Sequence, residues 1–327
     1  MPVNKSTAQP LLSDVASEYA DELNSEYIAA SVLPLYGVDV KSGDFNKLPL
    51  TNITKDLGNL ARAVGAGYDR NKSAWISDNF SCSERGLEST IDDGAALEAE
   101  PSFDAEVIET KVNVKYVLEQ MEIATAAIVF DTGTWTPTAA IAVWSDVANA
   151  KPFQDVTEAK TRLKNKNGGI VGSSQFVLTM NEPAWDELIA TDDMKSRFAG
   201  GTGSSIIQVT PSKADIARIL KVDDILVSNA QFNGNQVWAD SIVSLSLRAP
   251  GVAVSNSEGK PVGQEGNSEI KLVDLQLGRI FFWRLDANGL WVSDRYREEQ
   301  TRSWVVRQRQ HVDEKIVNTN CNELISV

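Results

Sequence analysis

The sequence predicts an α+β fold, and three observations carry that expectation. Residues 102–131 run in a helical pattern unbroken by glycine or proline until the chain turns at Asp131-Thr132-Gly133. Residues 152–247 alternate helix and strand signals, and residues 279–317 change to strand alternation around a tight turn at Asp286-Ala287-Asn288-Gly289.

The 327 residues, with 42% hydrophobic content, suffice for about two domains with a substantial core. A net charge of −14 opposes tight wrapping around nucleic-acid phosphate and excludes the usual sequence-specific DNA binder. His311 is the only histidine, which removes most Ser-His, Cys-His and His-metal chemistry. Cys82 and Cys321 are too few for a disulfide framework and read as free thiols in a reducing compartment, so the cytoplasm is expected. No secretory signal precedes residue 20, and no apolar stretch approaches the ~18 residues of a membrane span. No cofactor or metal is expected.

Along the chain, Leu12, Val15, Ala16, Tyr19, Leu23, Tyr27 and Ile28 fall at helical spacing, giving one or two short helices that Pro34 closes. From residue 37 to 80 glycines interrupt short alternating stretches and apolar residues become sparse, so this stretch is not expected to build its own core. A hairpin there with about 20 residues per strand would reach ~65 Å. An isolated two-stranded hairpin is marginal in water, so it either lies on another subunit or is a flexible insertion.

Residues 84–109 hold nine carboxylates against Arg85 alone, a pattern that fits a solvated face. Pro101-Ser102 supplies a stop and an N-cap for the long helix, whose thirty or so residues would span about 45 Å. Helices are expected around residues 156–163, 183–189 and 212–220, and strands at 176–180, 224–228 and 237–247. Strands at 279–285, 290–293, 303–311 and 315–317 close the chain. Arg295, Arg297, Arg302, Arg307 and Arg309 form a basic group that suits an electrostatic contact with the acidic run, within or between subunits.

Two motifs suggest chemistry and fall short of it. Asp131-Thr132-Gly133-Thr134 matches an aspartic-protease signature, but only one copy exists and it ends a helix, where Thr-Gly is an ordinary C-cap. Gly200-Gly201-Thr202-Gly203-Ser204-Ser205 lacks the Lys-Ser/Thr of a phosphate-binding loop and reads as a tip.

The order of these elements resembles the major capsid proteins of tailed bacteriophages, which share the Hong Kong 97 phage capsid fold. Asn24-Ser25-Glu26-Tyr27-Ile28-Ala29 and Val32-Leu33-Pro34-Leu35-Tyr36-Gly37-Val38 are similar to that family's amino-terminal arm, and Lys41-Ser42-Gly43-Asp44-Phe45 to the entry of its extended E-loop. Arg85-Gly86-Leu87-Glu88-Ser89-Thr90-Ile91-Asp92-Asp93 resembles the lead into the spine helix. Val177-Leu178-Thr179-Met180-Asn181 with Trp185 and Leu188, residues 219–227, and Trp238-Ala239-Asp240 look like the axial domain.

The resemblance implies an arm at 1–36, the E-loop and acidic lead-in at 37–94, the spine helix at 95–135, an axial domain at 136–262 and a peripheral β-sheet with the carboxyl terminus at 263–327. It implies a structural shell protein forming pentamers and hexamers around double-stranded DNA, not an enzyme, with the hairpin and the arm lying on neighbours. Portal, scaffolding or decoration proteins would be partners, DNA would be packaged without sequence-specific contacts, and no membrane is involved. The expected site is the virion, assembled in the host cytoplasm. Candidate inter-subunit contacts are Tyr27, Tyr36, Lys41, Phe45, Arg62, Arg70, Trp75, Arg295 and Arg297. The crosslink that some members make would draw on Lys41, Lys47, Lys55 or Lys72 and on Asn318 or Asn320, with no local signature to mark a pair. The alternatives are a cellular nanocompartment shell of the same fold and a carboxylate-dependent hydrolase using Asp131.

Overall fold

The structure is a computed structural model that describes residues 7–8, 10–23, 26–47, 56, 58–62, 67–72, 76–94, 104–169, 171, 174–198, 211–248, 275–284 and 290–327. The chain opens with β1 (Thr7–Ala8), α1 (Pro10–Leu23), α2 (Ala29–Val32), β2 (Leu35–Val38), β3 (Ser42–Lys47), β4 (Ile76–Ser81) and β5 (Ser83–Asp92). The long helix α3 (Ala105–Val129) follows, then β6 (Thr138–Ala139), α4 (Pro152–Lys166), β7 (Gln175–Asn181), α5 (Glu182–Ala190), α6 (Asp192–Phe198) and α7 (Lys213–Leu220). The remainder is β8 (Asp224–Ser228), β9 (Gln231–Phe232), β10 (Asn235–Gln236), β11 (Ile242–Arg248), β12 (Gly278–Trp283), β13 (Val292–Glu298), β14 (Ser303–Ile316) and β15 (Asn322–Ser326).

Helix α3 starts where a carboxylate can serve its unpaired amides. Asp104 accepts hydrogen bonds from the amides of Glu106 at 3.0 Å and Val107 at 3.4 Å, and Glu106 adds negative charge to the first turn. The expected cap, Ser102, lies outside the described residues. The helix is 25 residues long instead of about thirty, roughly 37 Å. It stops at Phe130 because Asp131 folds back, accepting from the Gly133 amide at 3.0 Å and the Thr134 hydroxyl at 2.5 Å.

The first sheet runs β1-β13-β14-β12-β2, with β5 pairing along β14. Its pairs are antiparallel except β12 with β2. Of the acidic run, residues 84–92 lie in the paired strand β5, whose side chains are mainly exposed, so this part forms a solvated face on a sheet. The expected strands at 303–311 and 315–317 are one strand, β14. The second sheet runs β6-β15-β11-β7-β8 and is covered by α4 to α7 around Trp144, Leu178, Met180, Leu188, Ile216 and Leu245. Its β11 begins at Ile242 and not at 237, because Trp238 turns inward and is fully buried. The carboxyl-terminal strand β15, expected with the terminal sheet, pairs instead with β11, so the chain ends in the second sheet. The loop at 200–205 and the turn at 286–289 lie outside the described residues.

One buried cluster joins these parts. It takes Ala16 and Ala20 from α1, Val114, Val117 and Met121 from α3, Ile280, Phe282 and Val312 from the first sheet, and Trp238, Leu247 and Leu324 from the side of the second. The arm, expected to wrap a neighbour, packs with α1 on α3 of its own chain, since Leu12, Ala16 and Ala20 form an apolar stripe at spacing four.

The β5–β14 pairing depends on a close approach at Gly86, opposite Arg309. A Cβ there would lie 2.7 Å from the Gln308 carbonyl oxygen and 2.9 Å from the Arg309 Cβ. Gly86→Ala should cost about 1–3 kcal/mol through forced backbone displacement, read as a lowered denaturation midpoint. An unchanged midpoint would contradict this packing.

Candidate assembly surface

The hairpin β3–β4 divides into an anchored base and an exposed connection. Six residues of each strand pair, from Ser42 opposite Ser81 to Lys47 opposite Ile76. Phe45 and Phe80 are buried against Phe281, with ring centroids 5.3 and 4.9 Å from it, and Val38, Cys82 and Val317 close the cluster. The base is thus buried without a core of its own, as expected, because two phenylalanines 35 positions apart meet a third contributed by β12 of the same chain. Lys47 pairs with Asp78 at 2.8 Å, and Asp313 accepts from the Ser81 amide at 2.8 Å. Burial and the Lys47 hydrogen bond oppose each other at Asp78, and its carboxyl ends below the usual range. Between the strands, the described residues 56, 58–62 and 67–72 are all exposed, Leu60 and Tyr68 by 64% and 76%.

Four of the five arginines of the basic group, Arg295, Arg297, Arg307 and Arg309, are engaged within the subunit, and Arg302 is exposed. Arg307 meets Glu88 at 2.5 Å on β5 and Asp294 at 3.8 Å on β13, and Arg309 meets Asp294 at 2.9 Å and Glu84 at 3.7 Å. Antiparallel pairing sets this ladder, since Arg307 lies in register with both Glu88 and Asp294. Arg295 reaches Glu106 at 2.7 Å and lies 3.8 Å from the Trp304 ring centroid, while Arg297 grips Asp93 with two nitrogens. The Arg297 hydrogen bond holds the Asp93 carboxyl below its ordinary range. Arg85 makes a two-nitrogen contact with Glu314. His311 is buried between Trp283 and Glu84, and burial lowers its pKa, as expected of a structural histidine.

The proposed contact residues thus fall into three groups. Tyr27 and Phe45 are buried and Tyr36 packs edge-on against Phe281, so they serve their own chain. Burial, with Glu119, Glu122 and Glu26 nearby, pushes the Tyr27 phenol up to about 12. Arg295 and Arg297 are held in the ion pairs just described, while Lys41, Arg62 and Arg70 are exposed. Trp75 lies outside the described residues, as does Lys55. Of the other crosslink candidates, Lys47 is paired with Asp78, Lys72 is exposed, and Asn318 accepts from the Asn320 amide at 3.0 Å.

Sequence reasoning missed Glu122. It is fully buried on α3, and its carboxylate accepts four hydrogen bonds: the Ile28 amide at 3.0 Å, the Ala29 amide at 2.7 Å, the Trp238 indole N–H at 2.6 Å and the Ser228 hydroxyl at 3.2 Å. Burial raises its pKa, and these four donors oppose the rise. The arm, the long helix and the loop after β8 all meet at this carboxylate. A glutamate followed by Ile123 and Ala124 gave no signal beyond one charge in an apolar helix end.

The hydrolase reading finds no geometry at Asp131. The carboxylate serves its own turn, and the Thr134 and Gly133 hydrogen bonds lower its pKa, where a proton-sharing dyad would raise one of its two acids. Cys82 and Cys321 are buried free thiols, and burial pushes them up to about 11 and about 12, away from nucleophilic use. Among the described residues there is no acid, histidine and cysteine cluster suited to a metal, and no helix long and apolar enough to cross a membrane.

No family profile and no curated protein matches the sequence. Solved structures match nearly end to end. A phage-related protein from Bordetella bronchiseptica RB50 superposes with a TM-score of 0.66 at 14% identity, covering 98% of this chain and 97% of its own. A virus-like particle from Pyrococcus furiosus gives 0.57 at 8% identity, covering 97% and 98%. The capsid of the cyanophage P-SCSP1u gives 0.56 at 8% identity, covering 90% and 86%.

Removing the shared acceptor tests the Glu122 junction. Each buried donor left unpaired costs about 1–3 kcal/mol, so Glu122→Ala should destabilise the subunit by about 3 kcal/mol or more. Amide exchange at Ile28 and Ala29 should rise sharply in the same variant. Wild-type stability with protected amides would contradict the junction.

Proposed function

The chain has the tailed-phage major capsid fold, and from it we infer a structural shell subunit. The observation that carries this reading is the hairpin, a long polar connection raised on a buried base whose described residues find no cover in their own chain. Such an element is of little use to a monomer and becomes useful when a neighbour covers it. Identical heterologous contacts that close into rings give pentamers and hexamers, and rings of both kinds close into an icosahedral shell. Many modest contacts then make the shell durable.

In this reading the first sheet with α3 is the peripheral part, and the second sheet, including the carboxyl-terminal strand, is the axial part. The shell encloses double-stranded DNA, held without sequence-specific contacts, and the net charge of −14 limits sticking to the packaged phosphate. Assembly takes place in a host cytoplasm with portal, scaffolding or decoration proteins as partners, and the subunit is not an enzyme.

A second reading is a nanocompartment shell enclosing protein cargo. The superposition on the Pyrococcus furiosus particle favours keeping it. The contents of purified particles separate the two, DNA for a capsid and an enzyme cargo for a compartment.

Because Phe45 and Phe80 belong to the core, the informative deletion spares the hairpin base. Replacing residues 48–75 by a short Gly-Ser turn should leave a soluble subunit with a near-wild-type denaturation midpoint that forms no stable shells. Wild-type-like particles from this deletion would overturn the assigned role of the connection.

A further inference from the structure

One stretch of the axial part reverses the sign of an acidic chain. Between Glu158 and Glu182 the sequence holds Lys160, Arg162, Lys164 and Lys166 and no carboxylate. Two of these cations are consumed internally, because the buried Glu323 carboxylate meets Arg162 at 2.6 Å and Lys166 at 2.5 Å. Lys160 and Lys164 remain on α4, one helical turn apart, with their ammonium groups 5.5 and 5.7 Å from the Phe176 ring centroid.

Helix α7 ends against them. The Lys160 ammonium donates to the carbonyl oxygens of Leu220, at 2.8 Å, and Lys221, so it closes the end of that helix. Lys221, the C-cap of α7, is exposed and brings a third ammonium to the same place. Burial, with Lys164 and Lys221 nearby, lowers the Lys160 pKa to about 8, while Asp223 opposes the fall. One oxygen of Asp223 is already engaged by the Phe176 amide at 2.7 Å. Among the described residues, Lys164 and Lys221 have no carboxylate within ion-pair distance, and the crowded positive charge calls for an anion from outside.

We propose that the face formed by Lys160, Lys164 and Lys221 binds the phosphate backbone of duplex DNA enclosed by the shell, and therefore turns toward the interior. The proposal rests on the shell reading and names the surface on which packaged phosphate lies. The surroundings favour phosphate over a protein partner. Exposed neighbours on α4 and its end are Thr157, Thr161, Asn165, Gly168 and Gly169, and no large apolar residue is exposed among the described residues between Val147 and Phe198. A protein contact needs an apolar centre, whereas point charges on flexible stems suffice for phosphate. Such contacts carry no sequence information, and three cations are a local exception to a net charge of −14.

DNA-filled and empty particles of the full chain, separated by density, test the contact. Accessible lysines are acetylated at pH 8 and each site is quantified by peptide mass spectrometry. Lys164 and Lys221 should be labelled roughly threefold less or lower still in filled particles, since a phosphate both covers an ammonium and holds it protonated. Lys195 and Lys213, exposed on α6 and α7 beside Asp192, Asp193 and Asp215 in the sequence, should label equally in both. In a second arm, unassembled subunits are titrated with a short duplex DNA at several salt concentrations. Lys164→Glu with Lys221→Glu should weaken binding about tenfold and lower the salt slope by about 2, while Lys195→Glu with Lys213→Glu, an equal change in charge, should leave the slope unchanged. All four side chains are exposed, so both variants should keep the wild-type denaturation midpoint within about two degrees. Equal labelling of Lys164 and Lys221 in filled and empty particles, or equal slopes for the two variants, would overturn the contact and leave the shell reading in place. Protection in filled and empty particles alike would overturn it in favour of a contact between copies. Particles that hold protein cargo and no DNA, or a chain that forms no shell, would defeat the capsid reading and the contact together.

Discussion

The buried carboxylate of Glu122 is the constraint on which the rest of the structure depends. A charge taken out of water is costly unless its lone pairs are filled, and here four donors from three separate stretches fill them. Two are the amides of Ile28 and Ala29, which fix the start of α2 and so the course of the arm. The indole of Trp238 brings in the loop between β8 and β11. Without that carboxylate α1 and α2 would still have apolar residues to bury, but nothing would set their direction relative to the second sheet.

From this junction the division of labour follows. Helix α3 presents one side to the first sheet and arm, and its carboxyl end to the side of the second sheet, so both sheets hold a fixed relation through one element. The charge ladder of β5, β13 and β14 uses up most of the arginines that would otherwise be free for partners. Most of these pairs are partly exposed and individually worth about 0–1 kcal/mol, so their main effect is to fix strand register and avoid unpaired charge. Among the described residues the hairpin connection stays exposed, and it carries the account of assembly.

Much of this order was legible in the sequence because it rests on local signals. Helix α7 was visible as a helical segment over 212–220, and the structure adds the reciprocal cap that Ser212 and Asp215 form at its start. Strands β7 and β8 were visible as short apolar runs. The long helix was visible in outline, but its start was placed at Ser102 since sequence alone does not rank one capping residue against another two positions away. The register of β5 was hidden because its side chains are mainly polar and its partner lies more than 200 residues away. The buried roles of Glu122, Phe45 and Phe80 were hidden for the same reason, each being decided by groups distant in the chain. The apparent basic patch was read correctly as complementary to the acidic run, and the structure places that complementarity within the subunit.

Electron microscopy of the purified wild-type protein after size exclusion, with three-dimensional reconstruction of any particles, tests the central claim most directly. The account predicts closed shells built from rings of this subunit, with density for residues 48–75 lying on a neighbouring copy. A stable monomer or simple dimer under every condition tried, or shells whose hairpins touch no neighbour, would contradict it.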